Sequence, residues 1–143
     1  MVVLSEFKYP DSFKGRYPGI FVLSILQFLV GAIHAVIALS LIFAMSGELV
    51  YSVYTFLYGV FTVIFAYGLW VNKKPGWLGT IFLSFFVIIV DFSTVLDLPL
   101  IAGVPRSAAF GEIVYSLVVL MYLFQPKIIH IFKKANQLQQ PNL

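Results

Sequence analysis

The chain has no cysteine among its 143 residues. That single absence removes a disulfide framework, thiolate metal sites, iron–sulfur clusters and a cysteine nucleophile, and it leaves the redox compartment open. Charge is almost as scarce, since Asp, Glu, Lys and Arg together make up 10% of residues, against about 25% in soluble domains. Histidine occurs only at His34 and His130, and only His34 falls inside an apolar run. A haem b held between two imidazoles within one chain's membrane spans is thereby excluded. No H-E-x-x-H, G-x-S-x-G, P-loop or G-x-G-x-x-G sequence occurs, so hydrolase and nucleotide chemistry are not signalled. We expect no enzyme activity, no cofactor and no metal.

What is abundant is apolar. Hydrophobic residues make up 61% of the chain and the mean hydropathy is +0.98. In lipid, such a chain satisfies its backbone polar groups internally, and the helix is the local way to do so. Four runs qualify, at residues 19–45, 49–71, 77–98 and 108–124, against the roughly 20 residues that cross about 30 Å of hydrocarbon. The fold expected is therefore all-α: a polytopic membrane protein with four transmembrane helices in an up-down bundle over 19–125. A short tail, 1–18, precedes it and a basic, amphipathic tail, 126–143, follows. The first run is about twice as long as a signal-peptide core, so it reads as a retained span. Ser46, Gly47 and Glu48 make a tight turn, and the stretch 72–76 combines helix-stop and turn residues. The loop 99–107 is apolar and broken by Pro99, Gly103 and Pro105, so it either dips into the interface or caps the bundle. In the last tail Ile128, Ile131 and Phe132 share one helical face, which suits a helix lying along the membrane surface.

The calculated pI of 9.2 does not point to nucleic acid, because the basic residues sit at the ends of apolar runs. Lys8, Lys14, Arg16, Lys73, Lys74, Lys127, Lys133 and Lys134 fall on one side of a four-span topology and Arg106 alone on the other. Such asymmetry places both termini in the cytoplasm of a multi-pass cell-membrane protein. Trp70 and Trp77 flank the inner hairpin, and Tyr51 and Tyr54 begin the second span at the outer interface, as an aromatic belt would have them.

Burial of apolar surface cannot drive helices together in lipid, so small residues and interhelical hydrogen bonds must do so. Each span offers such a stripe at helical spacing. They are Ser24, Gln27, Gly31, His34 or Ala35, and Ala38; Ser52, Thr55, Gly59, Thr62 and Ala66; Gly76, Thr80, Ser84, Val87, Asp91 and Thr94; and Glu112, Tyr115, Val119 and Tyr122.

Asp91 stands out, because a carboxylate well inside a span costs a few kcal/mol unless it is neutralised, paired or hydrated. Counting about 1.5 Å per residue, His34 and Asp91 lie at equal depth, each about 21 Å in, with Tyr58 in the same layer and Glu112 near it. These four residues form a candidate intramembrane polar or ion site able to relay protons or hold a cation. A structural account competes with it: Asp91 bonded to a hydroxyl, Glu112 capping the outer start of its helix, and His34 a satisfied interior residue. On the outer side Arg106 has two candidate partners, Asp97 and Asp91.

Three segments, RYPG before the first span, KKPGW before the third and YLFQPKIIHIFKK at the close, resemble those of small four-span membrane proteins common in archaea that form an uncharacterised family. The resemblance implies a fold and a membrane location and carries no catalytic residues. Taken together, the expectation is a structural or accessory subunit of a membrane assembly, with the lipid bilayer, other membrane subunits or a second copy as partners. The alternative is a small proton- or cation-coupled carrier centred on Asp91.

Overall fold

A computed structural model of the chain describes residues 17–44 and 49–138. The tail bearing Lys8, Lys14 and Arg16, the turn at Ser46, Gly47 and Glu48, the Lys134 side chain and residues 139–143 lie outside the described part. The described residues are helical with no strand: α1 Pro18–Ala44, α2 Leu49–Trp70, α3 Lys74–Val95, α4 Arg106–Leu123 and α5 Pro126–Leu138. The first four are long and apolar enough to cross a membrane. At about 1.5 Å per residue, α1 is about 40 Å long and α4 about 27 Å, so the shortest span just bridges a bilayer.

Helix ends explain where these elements differ from expectation. After α2, Asn72 takes φ 53°, and the amides of Asn72 and Lys73 bond the carbonyls of Leu69 and Gly68 at 2.9 and 2.8 Å. This is a Schellman stop with Asn in the left-handed position. A second one ends α3 three residues before the expected 98. Asp97 takes φ 62°, and the amides of Asp97 and Leu98 bond the carbonyls of Thr94 and Ser93. At its other end α3 starts at Lys74, ahead of the expected Trp77, because Pro75 fits the first turn, where its missing N–H costs nothing. The expected loop 99–107 therefore begins earlier. Leu98 and Leu100 share a groove with Ile88, Ile89 and Phe92 of α3, so the start of the loop runs beside that helix.

The helices pack in sequence, α1 on α2, α2 on α3 and α3 on α4, and side chains of α1 and α4 close the ring. The α1–α2 packing brings two helix backbones into direct contact. A Cβ on Gly31 would stand 2.7 Å from the Gly59 carbonyl oxygen, and one on Gly59 would stand 2.6 Å from that of Gly31. Only glycine lets two helix backbones meet there. The outer surface is apolar all round, with Phe43, Phe82, Leu98 and Met121 all strongly exposed, a face that suits lipid and not water.

At the end where α1 begins and α4 finishes, here called the base, Ile20, Leu23, Leu69, Val119, Leu123, Ile128 and Phe132 form a closed apolar cluster. The last two belong to α5. Its apolar face is thus spent on the bundle, with Phe132 only 1% exposed and stacked on Trp77 at 5.9 Å between ring centroids and 17° between planes. The expectation that this face lies along the membrane surface is corrected: an aromatic shelf at the base competes successfully for it.

Candidate functional site

Three of the four stripes read from sequence end up buried. On α2 Ser52, Thr55, Gly59, Thr62 and Ala66 all face inward, and on α3 so do Gly76, Thr80, Ser84, Val87, Asp91 and Thr94. On α4 the axis of burial is turned, running through Ala109, Ser116, Val119, Leu120 and Leu123. Glu112, Tyr115 and Tyr122 are only half-buried and reach the interior from the flank.

The layer read from helical depth exists. His34 on α1 faces Glu112 on α4, with Nε2 and Oε1 3.2 Å apart, and its ring meets that of Tyr58 on α2 edge-on, centroids 4.9 Å apart. His34 Nδ1 lies 2.8 Å from the Val30 carbonyl oxygen. A carbonyl only accepts, so Nδ1 carries a hydrogen, and the ring's other nitrogen is left for Glu112. Two states satisfy that contact, an imidazolium donating to a carboxylate or a neutral imidazole accepting from a carboxylic acid. Both have zero net charge, so the pair offers Asp91 no counter-charge.

Asp91 is fully buried, at 0% exposure, and among the described residues neither carboxyl oxygen has a partner at hydrogen-bonding geometry, although the Glu112 side chain lies close enough to act on it. Glu112 and His34 are the charged groups that act on it. The hydroxyls of Tyr54 and Tyr115 are likewise buried and unpartnered. Neither tyrosine was in the expected site. Tyr54, assigned from sequence to the outer interface, turns inward and stacks on Tyr58 at 6.4 Å and 13°; its spacing of four from Tyr58 was the available signal. Tyr115 lay on the expected α4 face without being tied to the layer.

Of the two partners expected for it, Arg106 pairs with Asp97 and not with Asp91, because the Schellman turn presents the Asp97 side chain to the start of α4. Both partners are largely exposed, so the pair contributes less than about 1 kcal/mol. Nor does Glu112 cap α4, which begins six residues earlier at Arg106 behind Pro105, with no side-chain cap.

Below the layer, towards the base, lies an interior cavity of about 10 Å³ lined by Gln27, Tyr58, Thr62, Thr80, Leu83, Ser84, Tyr115 and Ser116. All but Leu83 carry a polar group, and the volume is about what one water molecule requires. Thr80 donates to Gln27 Oε1 at 3.4 Å along its wall. Among the described residues no three His, Asp or Glu side chains are arranged to hold a metal ion.

Chemically the layer can hold its protons with no net charge. With Asp91 as the acid and one proton shared by His34 and Glu112 it is neutral, and moving the Asp91 proton onto the pair leaves a carboxylate, an imidazolium and a carboxylic acid, again neutral. Comparison with known proteins adds nothing to this geometry: no family model, no curated protein and no solved structure matches the chain.

Proposed function

We propose that the chain is a small proton carrier of the cell membrane in which Asp91 loads and releases the proton. The observation that carries this reading is the fully buried Asp91 carboxyl, without a hydrogen-bond partner among the described residues, set beside a His34–Glu112 pair that can take its proton while the layer as a whole stays neutral. An ionised Asp91 there would cost about 3 kcal/mol on the most lenient membrane scale, a cost that a bound proton removes. The interior cavity has room for a water molecule and not for an organic substrate, which favours the proton over anything larger.

The base faces the cytoplasm in this reading. Lys73, Lys74, Lys127 and Lys133 are exposed at that end, while Arg106 at the other end is already paired with Asp97, and positive loops stay inside. The test uses purified full-length protein in vesicles carrying a pH-sensitive dye. The protein is expected to dissipate an imposed pH gradient faster than protein-free vesicles do, and Asp91→Asn, which keeps the shape and loses the titratable group, is expected to return the rate to background. Wild-type vesicles as tight as empty ones would sink the reading.

The smallness of the void favours one further reading, an accessory subunit of a membrane complex, since a lone bundle this tight has no space for cargo. Gentle detergent extraction from native membranes would then yield a defined assembly several times the 16.1 kDa chain mass. Recovery as a lone chain under several mild conditions would remove it.

A further inference from the structure

Five polar side chains continue from the Asp91 layer towards the base, and the column they form ends blind. Tyr58 and Tyr115 stand at the junction with the layer, and Thr80, Ser84 and Gln27 follow around the small cavity. The next residues down are apolar: Leu23, Leu69, Leu123, and then Ile128 and Phe132 of α5. A polar column running part of the way through a membrane bundle is costly to hold dry unless it is used, and what stops it is partly a separate helix.

That helix is built to detach. The last amides bonded back to α4 are those of Phe124 and Gln125, to the Leu120 and Tyr122 carbonyls, and Pro126, which has no N–H to donate, starts α5, so the chain can pivot between Gln125 and Pro126 with the bonds of the span kept. The Leu123 carbonyl at the joint is held independently, by the Trp77 indole N–H at 3.2 Å. Among the described residues Ile128 and Phe132, with the half-buried Ile129 and Ile131, fasten α5 to the bundle, while Lys127, His130 and Lys133 are exposed. A cationic outer face next to the headgroup region gives the released helix somewhere to go, because each lysine near an anionic surface is attracted to it.

We infer that Gln27, Thr80 and Ser84 line an inward half-channel from Asp91 to the base, and that α5 is its lid. Protons reach Asp91 along Tyr115 and the cavity only while Ile128 and Phe132 are lifted off and Leu23, Leu69 and Leu123, freed of that packing, turn aside. The carrier reading supplies the purpose of the path. Its existence is tested without any flux measurement, so the two can fail separately.

The absence of cysteine makes the test direct, since each variant carries a single thiol. Ser84→Cys, in the full-length protein in vesicles, is expected to resist a charged methanethiosulfonate reagent applied at the base. Adding Phe132→Ala, which removes the ring stacked on Trp77, is expected to speed labelling by about tenfold or more, because truncating a buried Phe shifts the closed–open balance by at least that factor. Val118→Cys on the lipid face should stay unreactive in both backgrounds. Equal Ser84→Cys rates with and without Phe132→Ala, or fast labelling in the parent, would overturn the lid. Where Phe132→Ala also exposes Val118→Cys, the milder Ile128→Ala decides. If that variant again opens both positions together, α5 is part of the scaffold and the proposal is wrong.

Discussion

Replacing Gly59 by leucine is expected to break the bundle apart. The first atom of any side chain at this position would stand 2.6 Å from the Gly31 carbonyl oxygen and 2.7 Å from the Ala35 backbone nitrogen. Backbone atoms in the middle of a helix cannot move out of the way singly, so α1 and α2 would have to separate along their length. That surrenders a backbone-to-backbone contact, in a solvent where close contact is the main source of association. Overpacking a well-filled interior costs about 1–3 kcal/mol and occasionally more, and a clash with backbone belongs at the upper end. We expect a melting temperature in mild detergent lower by about 10 °C, or loss of the folded monomer. Gly111→Ala is the control. A Cβ there meets nothing within 4 Å, so it should raise stability by up to about 1 kcal/mol through helix propensity alone. Equal behaviour of the two variants would show that the α1–α2 approach is not what holds the bundle.

The second large effect belongs to the His34–Glu112 pair. His34→Leu leaves the Glu112 carboxyl inside the bundle facing Asp91 without its 3.2 Å partner. Breaking a buried ion pair from one side costs about 3–5 kcal/mol; with each side chain about one-fifth exposed, about 2 kcal/mol is expected. The double variant His34→Leu/Glu112→Leu removes the stranded carboxyl as well and should recover most of that loss. The cycle isolates the coupling, which should exceed about 1 kcal/mol for residues in direct contact. Thermal unfolding of the four proteins measures it. Additive losses would mean that the two side chains stand near each other without interacting, and His34 and Glu112 would then not act on Asp91 as a pair.

The two sets of variants separate scaffold from site. Gly31 and Gly59 act through shape, and their replacement should lower stability and flux together. Asp91→Asn acts through protonation. It should stop flux while leaving the melting temperature unchanged or higher, because an amide carries no charge to desolvate. This split distinguishes a working group from a buried accident.

Much of this was legible from residue order. Hydropathy and length determine four spans, because a bilayer imposes one thickness on every helix that crosses it. The stripes on α2 and α3 could be read as the buried faces because, in lipid, small and polar residues gather where helices meet. Equal depth placed His34, Asp91, Tyr58 and Glu112 in one layer, since rise per residue is fixed by helix geometry. Rotation and non-local contacts were not legible. A rise of 1.5 Å per residue gives height and says nothing of which side a helix turns to its neighbours. For that reason Tyr54 was assigned to the interface, and the α4 face was set on Glu112, Tyr115 and Tyr122 when its centre is Ser116. The left-handed turn at Asp97 sent Arg106 to that residue and left Asp91 without a cation, an outcome that depends on one backbone angle. The fate of α5 depended on Trp77 offering a flat ring at the base. Its apolar face was plain in the sequence; whether lipid or protein would cover it was decided only when the four spans had assembled.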